Sequence, residues 1–184
     1  MKININTIIG IAAMLISFGT LVVLIYQSRL MREHEERSAI PKLELWNDLS
    51  NGEYGLYIVN RGLGPAIIEG VTLEYKRELY NTDPLLFTQG YSDSLDLAPF
   101  SFSGTSLYEG VIIRNDQRSF LVKSEDSLST ALLKELFYHR DDKVKVIVHY
   151  SSIYGKVWSL EGIGDVPSLN KRFEPKVFKE LFNN

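Results

Sequence analysis

Residues 7–26, TIIGIAAMLISFGTLVVLIY, contain no charged side chain, and that feature limits what the chain can become. As a helix, twenty residues at about 1.5 Å each reach roughly 30 Å, the thickness of a bilayer's hydrocarbon core. Each large apolar side chain in such a window favours insertion by about 0.3–0.6 kcal/mol, and together they outweigh the mildly unfavourable Gly, Ser and Thr. Asn6 suits an N-cap and Tyr26 an interfacial ring. A cleaved signal peptide has a shorter apolar run, about 7–15 residues, ending in a small-x-small site. Here the run is longer and ends in Tyr26-Gln27-Ser28-Arg29. The expectation is a retained single-pass anchor in the inner (plasma) membrane, preceded by a tail of residues 1–6. Lys2 precedes the span, whereas Arg29, Arg32, Arg37 and Lys42 follow it. The positive-inside bias therefore places the main domain in the cytoplasm.

Two further readings attach to this region. Gly10, Ala13, Ser17 and Thr20 recur at helical spacing, a small-residue face that lets a second transmembrane helix approach closely. Residues 27–40 continue as a charged juxtamembrane helix. Arg29–Glu33, Arg32–Glu36 and Glu33–Arg37 are opposite charges four apart, and Pro41 disfavours helix at Ile40.

From residue 41 the period changes from helix to strand. KLELW sets Leu43 and Leu45 on one face, and KVKVIVHY does the same with Val144, Val146, Val148 and Tyr150. Further short strands are expected at 55–60, 66–79 (with Gly70 marking a bulge), 106–114, 118–123 and 154–162. Asn115-Asp116-Gln117 and Ser151-Ser152-Ile153 read as hairpin connections. About seven such strands predict a mainly β fold, an antiparallel sandwich over residues 41–184. One helix is expected at about 127–139, with Ser124 and Ser127 as candidate N-caps and Leu128, Leu132, Leu136 and His139 on one face. Residues 81–105 read as a long loop with a weak strand near 94–98. A short amphipathic helix is expected at about 175–182.

VNRGLGPAII, residues 59–68, tests for a phosphate loop. The dinucleotide fingerprint lacks its third glycine, Pro65 removes a donor, and strand rather than helix follows; Gly-Lys-Ser/Thr is absent. Asn60, Gly62, Gly64 and Pro65 instead read as a structural turn at a hairpin-like corner, the glycines supplying positive φ. This N-R-G-L-G-P-A turn, the stalk before it and the late YSSIYGKVW resemble a loose group of bacterial single-pass membrane proteins. Those carry an N-terminal anchor and a small immunoglobulin-like β-sandwich. The resemblance covers Met1 to about Tyr80 and the strands at 143–162; it implies architecture and no catalytic residue. The plan is also similar to membrane-acting effectors of bacterial antiphage systems.

Little in the composition points to chemistry. Net charge is -3, which gives no basis for nucleic-acid binding, and the absence of cysteine excludes thiol catalysis, disulfides and Cys-ligated metals. His34, His139 and His149 stand apart, and His34-Glu35-Glu36 lacks a zincin's second histidine. Ser103-Gly104 lacks the nucleophile elbow, and Asp93 and Asp96 read as a solvated turn. No catalytic, metal or cofactor residue is expected. The expected function is a non-enzymatic, membrane-anchored binding or accessory subunit that recruits or scaffolds a partner protein. Its partners are the bilayer and another membrane protein or a second copy. The competing expectation, from the antiphage resemblance, is a sensor–effector whose anchors cluster to perturb the membrane. Tyr91, Phe100, Phe102, Tyr108, Phe178 and Phe182 are the candidate partner contacts; Tyr150 and Trp158 are assigned to the core.

Overall fold

The computed structural model describes residues 5–95, 100–138 and 143–170. They form two compact units, one ending at Ser38 and the other beginning at Ala39. The first is a single helix, α1 (Ile5–Ser38), with Asn6 inside it rather than capping it. It is long and apolar enough to cross a membrane. Its apolar side chains are left uncovered by the described residues: Ile16 is 70% and Phe18 66% exposed. Near its end Arg37 pairs with Glu33 at 2.7 Å, and the Ser38 hydroxyl donates to the Glu35 carbonyl.

From Ala39 the described chain runs β1 (Leu43–Ser50), β2 (Glu53–Asn60), β3 (Ala66–Tyr75), β4 (Glu78–Tyr80), α2 (Pro84–Ser94), β5 (Phe102–Ser103), β6 (Ile112–Ile113), β7 (Arg118–Ser124), α3 (Ser127–Phe137), β8 (Val144–Ser151), β9 (Val157–Glu161) and β10 (Ser168–Asn170). Every pairing is antiparallel. Sheet A has the order β1-β2-β7-β5; sheet B has the order β10-β9-β8-β3-β4, with β6 also pairing β3. Helix and strand each make up 35% of the described residues, because α1 alone is 34 residues; in the second unit strand outweighs helix.

Alternation puts Leu43, Leu45, Leu56, Ile58 and Leu121 of sheet A into one core with Ile68, Leu73, Val146, Val148, Tyr150 and Leu160 of sheet B. The Leu43 amide donates to the Tyr150 hydroxyl across the sheets at 3.3 Å, and the Tyr150 ring stacks on Trp158. Burial pushes the Tyr150 phenol up to about 12. The register of β3 against β8 slips between Ile68 and Gly70, a bulge at Glu69.

The 60–66 corner joins strands of different sheets and is not a hairpin. Gly62 and Gly64 do not adopt positive φ. They are glycines because the chain passes itself too closely for a side chain. A Cβ at Gly64 would lie 2.1 Å from the Ala39 carbonyl oxygen, and one at Gly62 would lie 2.3 Å from the Lys42 nitrogen. Asn60, fully buried, fastens this crossing. Its Nδ2 donates to the carbonyls of Gly64 (2.9 Å) and Ile113 (3.0 Å), and its Oδ1 accepts from the amides of Gly62 (2.9 Å) and Lys42 (3.2 Å).

Other expectations are corrected. Residues 115–117 do not close a hairpin, since β6 belongs to sheet B and β7 to sheet A. The stretch read as a loop contains α2, started by Asp83, whose carboxylate accepts from the Leu85 and Leu86 amides, with Pro84 in the first turn. Helix α3 is capped by Asp126, not Ser124 or Ser127. The Ser124 hydroxyl is instead buried against the Tyr54 backbone. Leu128 points outward, and α3 buries Leu132, Leu133, Leu136 and Phe137 against β2, β7 and β8. His139, residues 96–98 of the expected weak strand and the 175–182 helix lie outside the described residues.

Two hairpins share one turn geometry and differ in sequence. β1 and β2 are joined by Asn51-Gly52, both at positive φ, the pair that a two-residue type I′ turn favours. β3 and β4 are joined by Lys76 (φ 51) and Arg77 (φ 66) in the same conformation. Side chains with a Cβ and a long stem cost about 1 kcal/mol or more each in that region.

Candidate functional site

With the odd residues of β1 and the even residues of β2 turned to the core, the intervening positions form the outer face of sheet A. Register then lines up three aromatic rings on adjacent strands: Trp46 opposite Tyr57, and Tyr57 opposite Phe120. Trp46 (46%) and Phe120 (41%) are exposed, with Tyr57 buried between its neighbours. The Tyr57 and Phe120 rings meet edge to face at 5.8 Å. Gly55 lies beside the row, where a Cβ would come into ordinary contact with the Phe120 ring at 3.4 Å.

Charges frame the row. The Arg118 guanidinium lies 3.6 Å from the Tyr57 centroid and 5.3 Å from that of Phe120, and its Nη2 is 3.9 Å from Asp48. Lys123 pairs with Glu53 at 2.6 Å. Glu44 takes Lys42 Nζ at 2.7 Å and Trp46 Nε1 at 3.3 Å; the Lys42 hydrogen bond is the main reason its carboxyl sits below the usual range. A rigid ridge of Trp, Tyr, Phe and Arg with ion pairs around it is the composition at which binding energy concentrates in protein interfaces.

A cleft of about 820 Å³ opens on the other side of the unit, lined by Glu69, Thr82, Asp83, Tyr108, Glu109 and Ser151 among others. Three of its polar side chains are committed within the fold. Glu69 accepts from the Ser151 hydroxyl, and Asp83 caps α2. The buried Thr82 hydroxyl has no partner among the described residues. Also among the described residues, no group of three or more His, Asp or Glu is placed to hold a metal.

The aromatics expected to contact a partner are dispersed. Tyr91 lies on α2, half-buried beside Tyr75 (5.8 Å) and stacked on Phe87. Burial and a hydrogen bond to Tyr75 push its phenol up to about 12. Phe100 and Phe102 stack on each other and pack against the core. Tyr108 is 68% exposed at the rim of the cleft. Phe178 and Phe182 lie outside the described residues. On α1, the face of Gly10, Ala13, Ser17 and Thr20 is exposed, and a Cβ on Gly10 would meet nothing within 4 Å. Ser17 and Thr20 return their hydroxyls to the carbonyls of Ala13 (2.8 Å) and Ile16 (2.9 Å), so neither needs a second helix to satisfy it.

The aromatic row was not anticipated. Its signal was partly present, since turning Leu43 and Leu45 inward turns Trp46 outward, but its members are 11 and 63 positions apart and only strand pairing unites them. No protein-family profile, curated protein or solved structure matches the chain.

Proposed function

We propose that the protein is a single-pass membrane anchor carrying an immunoglobulin-like domain that binds a partner protein at the bilayer through the outer face of sheet A. The Trp46–Tyr57–Phe120 row, exposed at Trp46 and Phe120 and with Arg118 stacked on the buried Tyr57 between them, carries this reading. Large exposed aromatics on a rigid sheet lose little conformational entropy on docking. The immunoglobulin-like assignment is supported by strand order. Read as A to G, β1-β2-β7-β5 corresponds to A-B-E-D, and β4-β3-β8-β9 to C′-C-F-G. The anchor is supported by the charge-free, wholly exposed span of α1, and a cytoplasmic domain by Arg29, Arg32, Arg37 and Lys42 after it. The likeness to single-pass bacterial proteins with this plan agrees with both.

The test is to solubilise the full chain from native membranes and compare it with Trp46→Ala/Phe120→Ala. The wild type is expected to migrate as a complex of defined stoichiometry, and the variant alone, with Tm lowered by no more than a few degrees. An unchanged complex with the double variant removes sheet A from the account. Reporter fusions at each terminus decide orientation.

A further inference from the structure

The second hairpin turn has an unexplained composition. The molecule's own example of a structural two-residue turn is Asn51-Gly52, yet the β3–β4 turn keeps Lys76 and Arg77 in the same left-handed conformation. Strain of this kind tends to persist where the side chains are needed. Both cations border a groove of about 690 Å³ that also includes Tyr75, Tyr91, Lys143 and Lys145, with Glu74 as the one carboxylate among its described lining residues. Lys76 lies 5.0 Å from the Tyr75 centroid. Lys143 and Lys145 pair with Glu135 and Glu161, both solvent-exposed ion pairs that exchange partners at little cost. Arg77 has no ion-pair partner among the described residues.

We propose that this groove binds a phosphate-bearing anion, with Lys76 and Arg77 as its grips. A planar guanidinium and three ammonium groups around tyrosine rings match the charge and acceptor geometry of a phosphoryl group. The hairpin is at the opposite end of β3 from the Gly64 corner, where the chain enters the domain beside Ala39. Ten strand residues at about 3.3 Å each separate the two by roughly 30 Å.

The phosphate can belong to a soluble molecule or to a lipid headgroup, and the experiment separates these. The full chain is placed in phosphatidylcholine nanodiscs, and its Tm is followed against inorganic pyrophosphate, with sodium chloride at matched ionic strength as control. A saturable rise in Tm with pyrophosphate is expected. Lys76→Asn/Arg77→Gly should raise the ligand-free Tm by roughly 2–4 °C by relieving the turn, while weakening pyrophosphate at least ~10-fold. Arg77→Gln, which keeps a long side chain in the turn, should weaken it without the gain in Tm. A response to phosphatidylglycerol nanodiscs but not to pyrophosphate, lost in both variants, assigns the groove to headgroups and sustains the proposal. A wild-type protein that answers to neither, or variants that answer as the wild type does, overturn it.

Discussion

The apolar residues of α1 and those of the β unit are the same kinds of side chain with opposite surroundings. Ile16 and Leu15 on α1 are 70% and 68% exposed, whereas Leu43, Leu56 and Ile58 on sheet A are fully buried. Covering such a side chain is worth about 1.5–3 kcal/mol. The β unit obtains this from its own two sheets, and α1 obtains almost none of it from the described residues. On the proposed reading, α1 obtains it from lipid, whereas the β unit needs only its own side chains. The comparison teaches that sequence hydrophobicity has to be read together with what a fold can bring against it.

The comparison breaks most visibly under a charge at the centre of α1. Ile16→Lys should cost about 2.5–3.5 kcal/mol of insertion, shift the full chain from the membrane to the soluble or aggregated fraction, and leave the unfolding transition of its β unit unchanged. In the β unit the largest loss is expected at the crossing that closes the sandwich. Asn60→Ala removes the partner of four backbone groups, three of them in buried hydrogen bonds, and should cost about 3 kcal/mol or more by urea denaturation of a fragment spanning residues 39–184. Gly64→Ala forces a Cβ onto the Ala39 carbonyl and should cost about 2–3 kcal/mol. Neither should alter membrane retention of the full chain. Asp83→Ala, which uncaps α2, is expected to cost about 1 kcal/mol.

The mildest probe is pH. An unfolded tyrosine loses its proton near 10, whereas folded Tyr150 and Tyr91 hold theirs to about 12. Their raised values stabilise the folded form below pH 10, and that stability is lost as pH rises through about 12. The Tm of the fragment should fall across this window, with Tyr150→Phe reducing the slope. A Tm independent of pH there contradicts the burial described.

The anchor segment was legible because absence of charge is a property of composition and needs no partner. β8 was legible because one face of it is buried, which writes period two into KVKVIVHY. Helix α2 was missed because PLLFTQGYSDS has a broken apolar period; its start signal, Asp83-Pro84, stood in the sequence unread. Sheet membership of β6 and β7 was misread because adjacency along the chain does not say which sheet a strand joins. The glycines of the corner were expected to supply positive φ and do not; what they accommodate is Ala39 and Lys42, about twenty residues away. The same holds for the aromatic row, which exists only once β1, β2 and β7 are in register.

The most direct measurement is an alkaline carbonate wash of membranes carrying either the full chain or the fragment of residues 39–184, with circular dichroism of whatever is released. The account predicts that the full chain stays with the lipid while the fragment is recovered in buffer with a sheet-dominated spectrum after return to neutral pH. Release of the full chain, or a fragment that is unfolded in buffer or bound to membranes, would contradict it.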